Sequence, residues 1–221
     1  MITVRMGSHK SANGGFTIVE LLIVIVIIGV LAGIVITTFS GIQARARNTA
    51  RVTAAQKAQK MLVTYTATSS VDALKAAIQP PTGDVTYCIG NGYVDVVSGS
   101  PVGCVSGGSA PVVSSATLDT LLKESAGNYA TGYPQLNIGS LQETAPTVTF
   151  YSSSSTVTVD GQWVFAVLNY MLEGENKDCG VQGVLASTGP STFVSGTGAK
   201  NTGYGSGITV CAIYLDPLIS N

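Results

Sequence analysis

From Phe16 to Phe39 the chain is apolar, broken only by small or hydroxylated residues and by one carboxylate, Glu20. A helix of about 24 residues rises about 36 Å, and the hydrocarbon core of a bilayer is about 30 Å thick. The pattern therefore predicts a membrane-spanning helix whose lone acid, costing about 2.5–3.5 kcal/mol in hydrocarbon, is a functional candidate with a partner to be found. After Gly41 the run Ile42-Gln43-Ala44-Arg45-Ala46-Arg47-Asn48-Thr49-Ala50-Arg51 continues mostly in good helix formers. Ala54, Ala58, Met61 or Leu62, and Tyr65 then recur at steps of three and four, which gives one apolar stripe. The expectation is a single helix from Phe16 to about Ala67, about 78 Å long, apolar all round in its first half and amphipathic in its second.

Beyond that helix the signals shorten. Val71–Gln79 reads as a short helix stopped by Pro80-Pro81, and Leu118–Ser125 as another ended by Gly127. Turn residues dominate up to Pro111, so residues 80–146 read as a long variable connection. Thr147–Tyr151 and Thr156–Val159 alternate as strands, and Asp160-Gly161 is a hairpin signal before Gln162–Leu172. These three are expected to be neighbours in a meander. Gly207–Leu215 is a last strand, reached through the Gly-rich loop Thr188–Ser206. The fold class expected is α+β: a long N-terminal helix packed on a small antiparallel sheet. The divisions are 1–15 as a leader, 16–39 as the spanning half of the helix, and 40–68 as its amphipathic half. Residues 69–146 form the connection, and 147–221 the sheet with its C-terminal loop.

Composition changes this picture in two places. Only 10% of the residues are charged, against about 25% in ordinary globular domains, while Gly, Ser and Thr abound; that favours a loop-heavy, β-rich head outside the cell. Charge is also segregated. Leu21–Val71 holds five bases and no acid, whereas from Asp72 onward four bases face eleven acids. The head is therefore acidic and the stem basic. Counting Lys and Arg around the span would by itself keep the C-terminal part in the cytoplasm. Four cysteines in this chain argue for the oxidising side instead.

The start of the chain now becomes specific. Arg5 and Lys10 lie in a short polar leader; Gly14-Gly15-Phe16-Thr17-Ile18-Val19-Glu20-Leu21-Leu22 follows and opens the aliphatic helix. The apolar run is too long for the core of an ordinary signal peptide. This stretch resembles a type IV prepilin over roughly residues 10–65. The resemblance implies a pilin fold, cleavage between Gly15 and Phe16 by a prepilin peptidase, and N-methylation of Phe16. It further implies a single-pass membrane precursor, assembly into a homo-oligomeric helical filament outside the cell, and an assembly platform with ATPases as partners. It fixes the topology against the charge count. Glu20 would meet the Phe16 amine of a neighbouring copy. The commonest family form has a proline where this chain has Thr37; Thr37 and Thr38, with Gly29, Gly33 and Gly41, loosen the helix locally instead.

The remaining chemistry is sparse. The only histidine, His9, lies in the leader, so the mature chain has no His-based triad and no His-containing zinc site. No catalytic residue, cofactor or metal is expected. The four cysteines allow three pairings; sequence order favours Cys88–Cys104 and Cys179–Cys211, and the resemblance implies that the second clamps the C-terminal loop to the last strand. Closely spaced Cys pairs for a metal are absent. Glu173, Glu175 and Asp178 sit in an acidic turn with oxygen donors suited to Ca²⁺, but without the alternation of an EF-hand loop; a solvated turn is favoured. The basic run Arg45–Lys60 is read as making salt contacts to acidic heads of neighbouring copies, and no nucleic acid is expected on the acidic head. Gly203–Gly207 lacks the strand, helix and lysine of a phosphate loop. A filament subunit is the leading reading. A pseudopilin of a secretion or DNA-uptake system, and a tip pilin using residues 80–146 as an adhesin, are built from the same parts and stay open.

Overall fold

The computed structural model describes residues 15–78, 83–90, 104–106, 112–113, 115–127, 133–139, 141–152, 157–159, 161–180, 185–189, 192–195 and 207–215. The leader before Gly15, the Pro80-Pro81 stop and the Gly203–Ser206 stretch lie outside them. The chain divides into two units, Met1–Gln43 and Ala44–Asn221.

Helix α1 runs from Ile18 to Ser69. In the first unit its described large apolar side chains are solvent-facing in the single chain, between 48% and 84% exposed from Phe16 to Ile42. Its most apolar 18-residue window has a mean hydropathy of 3.2, so it is long and apolar enough to cross a membrane. Gly29, Gly33 and Gly41 do not break the helix. Thr37 lies within α1, and its side chain is outside the described ones.

In the second unit α1 ends where Ser70 takes a positive φ of 81°. The same serine opens α2, Val71–Ile78, by accepting the Ala73 amide on its hydroxyl and the Leu74 amide on its carbonyl. After β1 (Val85–Cys88), β2 (Val105–Ser106) and β3 (Val112–Val113), helix α3 spans Ala116–Ala126. Ser115 caps its first turn through the Leu118 amide, and Gly127, at φ 80°, closes it onto the Lys123 carbonyl. Strands β4 (Leu136–Ile138), β5 (Leu141–Glu143), β6 (Thr147–Phe150), β7 (Thr158–Val159), β8 (Gln162–Trp163), β9 (Ala166–Glu173), β10 (Leu185–Gly189), β11 (Thr192–Ser195) and β12 (Ile208–Tyr214) complete the chain. The fold is α+β.

The central sheet has five strands in the order β12-β9-β6-β1-β3, antiparallel except for the β1–β3 pair. Ala55, Ala58, Met61, Leu62 and Tyr65 of α1, Leu74 and Ile78 of α2, and Leu118 and Leu122 of α3 share one core with Val148, Phe150, Leu168, Tyr170 and Leu172 of the sheet. Ala55 holds the buried position that the spacing assigned to Ala54, which is only half-buried. A four-stranded sheet, β10-β11-β7-β8, and a three-stranded sheet, β2-β5-β4, complete the unit.

Three expectations are corrected. The three strands after Thr147 do not form a meander: β6 pairs directly with β9, Thr147 with Asn169 through Phe150 with Ala166, and the β7–β8 hairpin belongs to another sheet. The physical reason is the break at Val164–Phe165, where the chain leaves the ladder so that both side chains become buried. The stretch expected as a connection also contributes to the central sheet, because Val85–Cys88 pairs residue for residue with β6. Part of the expected Gly-rich loop is likewise the β10–β11 ladder.

Candidate functional site

Glu20 is built into the start of α1. Its Oε2 accepts the Thr17 backbone N–H at 2.8 Å and the Thr17 hydroxyl at 2.8 Å, and the Thr17 hydroxyl oxygen accepts the Glu20 amide at 3.3 Å. Thr17-x-x-Glu20 is thus a capping box, in which side chains satisfy amides that the first helical turn leaves without partners. This local role went unread in the sequence, although the Thr-x-x-Glu spacing ahead of an apolar run is its signature. Gly15 and Phe16 precede the helix, and Phe16 is 83% exposed.

A second concentration of charge lies in the head. The Arg47 guanidinium grips Glu173 with two parallel bonds, Nε to Oε1 and Nη2 to Oε2, both 2.7 Å. Arg51 donates to the same Oε1 at 2.9 Å, to Asn48 Oδ1 at 3.1 Å, and to the carbonyls of Pro134 at 3.0 Å and Gln135 at 2.6 Å. Its side chain has no exposed surface. A buried charge survives only when its donors are used and an opposite charge is at hand, and this one satisfies both conditions. Asn48 completes the cluster by accepting the Glu173 amide and donating to the Glu173 carbonyl, each at 2.9 Å. The Arg47 bonds, supported by Arg51, hold the Glu173 carboxyl below the usual carboxylate range.

This corrects the expectation for two members of the basic stem: Arg47 and Arg51 make their salt contacts within their own head. The reason is position, since Arg51 lies on the same helical face as Ala55, Ala58 and Leu62 and must enter the head with them. Arg45, Lys57 and Lys60 remain on the exposed face.

The acidic turn is likewise occupied internally. Glu173 serves the two arginines, Glu175 accepts the Gly207 amide at 3.1 Å, and Asp178 accepts the Gly180 amide at 2.9 Å. Buried Thr209 fastens the turn by donating to the Gly174 carbonyl and accepting the Lys177 amide. Among the described residues no group of three or more His, Cys, Asp or Glu is arranged to hold a metal ion.

Cys88 is bonded to Cys104 and Cys179 to Cys211, each with Cα atoms 5.8 Å apart. The second bond joins the segment after the acidic turn to β12. Tyr170 donates its hydroxyl to the Cys179 carbonyl, Gln56 donates to the Gly180 carbonyl at 3.1 Å, and Val52 packs against Gly180. The loop therefore rests on the sheet and on α1 together.

Residues 10–36 match the family model described as the prokaryotic N-terminal methylation motif. That segment is a type IV prepilin-like class III signal sequence. No curated protein and no solved structure matches the chain.

Proposed function

We propose that this chain is a structural subunit of a type IV pilus-like surface filament. A prepilin peptidase cuts between Gly15 and Phe16 and Phe16 is N-methylated. The subunit then passes from the membrane into a homo-oligomer through the first half of α1, driven by an assembly platform with its ATPases. The reading is supported chiefly by one observation: the methylation motif at residues 10–36 runs directly into a helix whose described large apolar side chains stay exposed from Phe16 to Ile42. Lipid tails are as apolar as leucine, so leaving the bilayer for a bundle of like helices gains little from hydrophobicity itself. Packing and a polar contact must supply the preference, and the Glu20 carboxylate beside a neighbour's freed Phe16 amine is that contact.

Mass spectrometry of filaments sheared from the source cells tests the reading. An abundant band beginning with N-methylated Phe16 is expected. A chain that is cut and methylated, yet found only in the membrane fraction, overturns the filament and leaves the secretion or uptake piston. A chain still carrying its leader overturns processing as well.

A further inference from the structure

Glu124 stands exposed in the last turn of α3, on the face opposite the core residues Leu118 and Leu122. With Ala116, Thr117, Thr120 and half-buried Leu121 it lines an open depression of about 410 Å³. The Thr120 hydroxyl donates to the Ala116 carbonyl at 2.8 Å, which leaves its oxygen as an acceptor.

Other carboxylates of the head are engaged within the chain. Buried Glu143 accepts the Tyr133 hydroxyl at 2.8 Å and the Met171 amide at 3.1 Å. Glu173 holds Arg47 and Arg51, Glu175 and Asp178 accept the Gly207 and Gly180 amides, and Asp84 accepts the Ser152 amide. Among the described residues Glu124 forms no ion pair, not even with Lys123 beside it. An anion in the last turn of a helix also works against the macrodipole, so its own head makes no use of that charge.

The opposite surplus lies on the stem. Lys57 and Lys60 are exposed and three residues apart, hence neighbours on one side of α1. Among the described residues neither forms an ion pair, and no acid occurs from Leu21 to Val71. One turn before Lys57, the Thr53 hydroxyl donates to the Thr49 carbonyl at 2.9 Å, so that part of the face can be covered without leaving a donor unpaired.

We propose that Lys57 and Lys60 of one copy dock into the α3 depression of a second copy, with their methylenes against Leu121 and an ammonium on Glu124. The contact rests on the filament reading and names the surfaces that meet in it. Long cationic side chains cover apolar ground while keeping their charge at its edge, and that is the shape the depression offers. Exposed pairs add little strength singly; repeated along an array, this one fixes which faces of the heads and stems come together.

Carbodiimide, which joins an amine to a carboxylate with loss of water, tests the contact in the unaltered chain. Filaments sheared from cells shifted part-way through growth to heavy-nitrogen medium contain both labels. Mass spectrometry should find Lys57 or Lys60 joined to Glu124 with one label of each kind. Filaments without that link, or with it only inside one label, overturn the contact and leave the filament reading standing; a chain missing from filaments overturns both. Charge reversal gives a second readout. Glu124→Lys should lower filament yield about fivefold, as should Lys57→Glu with Lys60→Glu. All three together should restore it. Unchanged yield from Glu124→Lys overturns the proposal.

Discussion

The two halves of α1 differ in what they leave unprovided. From Ile18 to Gln43 the helix exposes aliphatic surface on every side and satisfies its one carboxylate locally, through Thr17. From Ala44 to Ser69 it buries an apolar stripe, encloses the Arg51 guanidinium, and turns Arg45, Lys57 and Lys60 outward. The second half finds its partners in the same chain. Among the described residues of the first half the large apolar side chains stay exposed, so an environment for them must come from lipid or from other helices. The second half thus buries both its apolar stripe and its charge within one molecule, whereas the described apolar surface of the first is left for something outside the chain to cover.

The sharpest way to break that contrast is Glu20→Ala. Head stability should be unchanged, while filament yield falls by roughly tenfold or more, since about 1.4 kcal/mol per contact already gives that factor; normal sheared-filament yield refutes the intermolecular role. Next in size is Glu173→Gln, which leaves Arg51 buried without its countercharge. A loss of about 3–5 kcal/mol is expected in chemical unfolding of the head. The lowered Glu173 pKa adds a pH signature. Its contribution is present above about 4.5 and is lost as the pH falls through the folded value, so the variant should lack that acid-side loss.

A smaller, paired test uses one substitution in both halves. A Cβ at Gly180, where φ is 66°, would lie 2.9 Å from Val52 Cγ1, whereas one at Gly33 meets nothing within 4 Å. Gly180→Ala should cost about 1–3 kcal/mol. Gly33→Ala should leave the isolated chain within about 0.5 kcal/mol of the parent, read by thermal unfolding in micelles. If Gly33→Ala instead lowers filament yield alone, the glycine is serving a neighbouring helix.

The long helix was legible because its apolar run and its 3.6-residue stripe are local signals. Ser115 and Gly127 mark α3 by the same kind of local chemistry. The charge of Glu20 stands out in an apolar run, whereas its bond to Thr17 is signalled only by the Thr-x-x-Glu spacing, which the surrounding hydrophobicity masks. Arg51 was readable in principle, lying four, seven and eleven residues before Ala55, Ala58 and Leu62. Glu143, two residues after Leu141, shares its face in the same way. What hid both is that a charge at an inward position is readily taken for a surface residue until its partner is known, and Glu173 is 122 residues away from Arg51. The order of the strands was hidden for a related reason: a two-residue break at Val164–Phe165 decides whether three strands form one sheet or two, and no periodicity records it.

Asn48 has a mechanical consequence. It reads both backbone groups of Glu173 at once, donor and acceptor. Sliding α1 along the head by one turn, about 5.4 Å, would bring Ala44 or Val52 to that place, and neither side chain forms either bond. The same slip would set Ala55 where Arg51 stands, or carry Arg47 into a fully enclosed pocket. No neighbouring register offers a second resting place, so tension on the helix should be met by a stop rather than by creep, up to the load at which the head itself gives way.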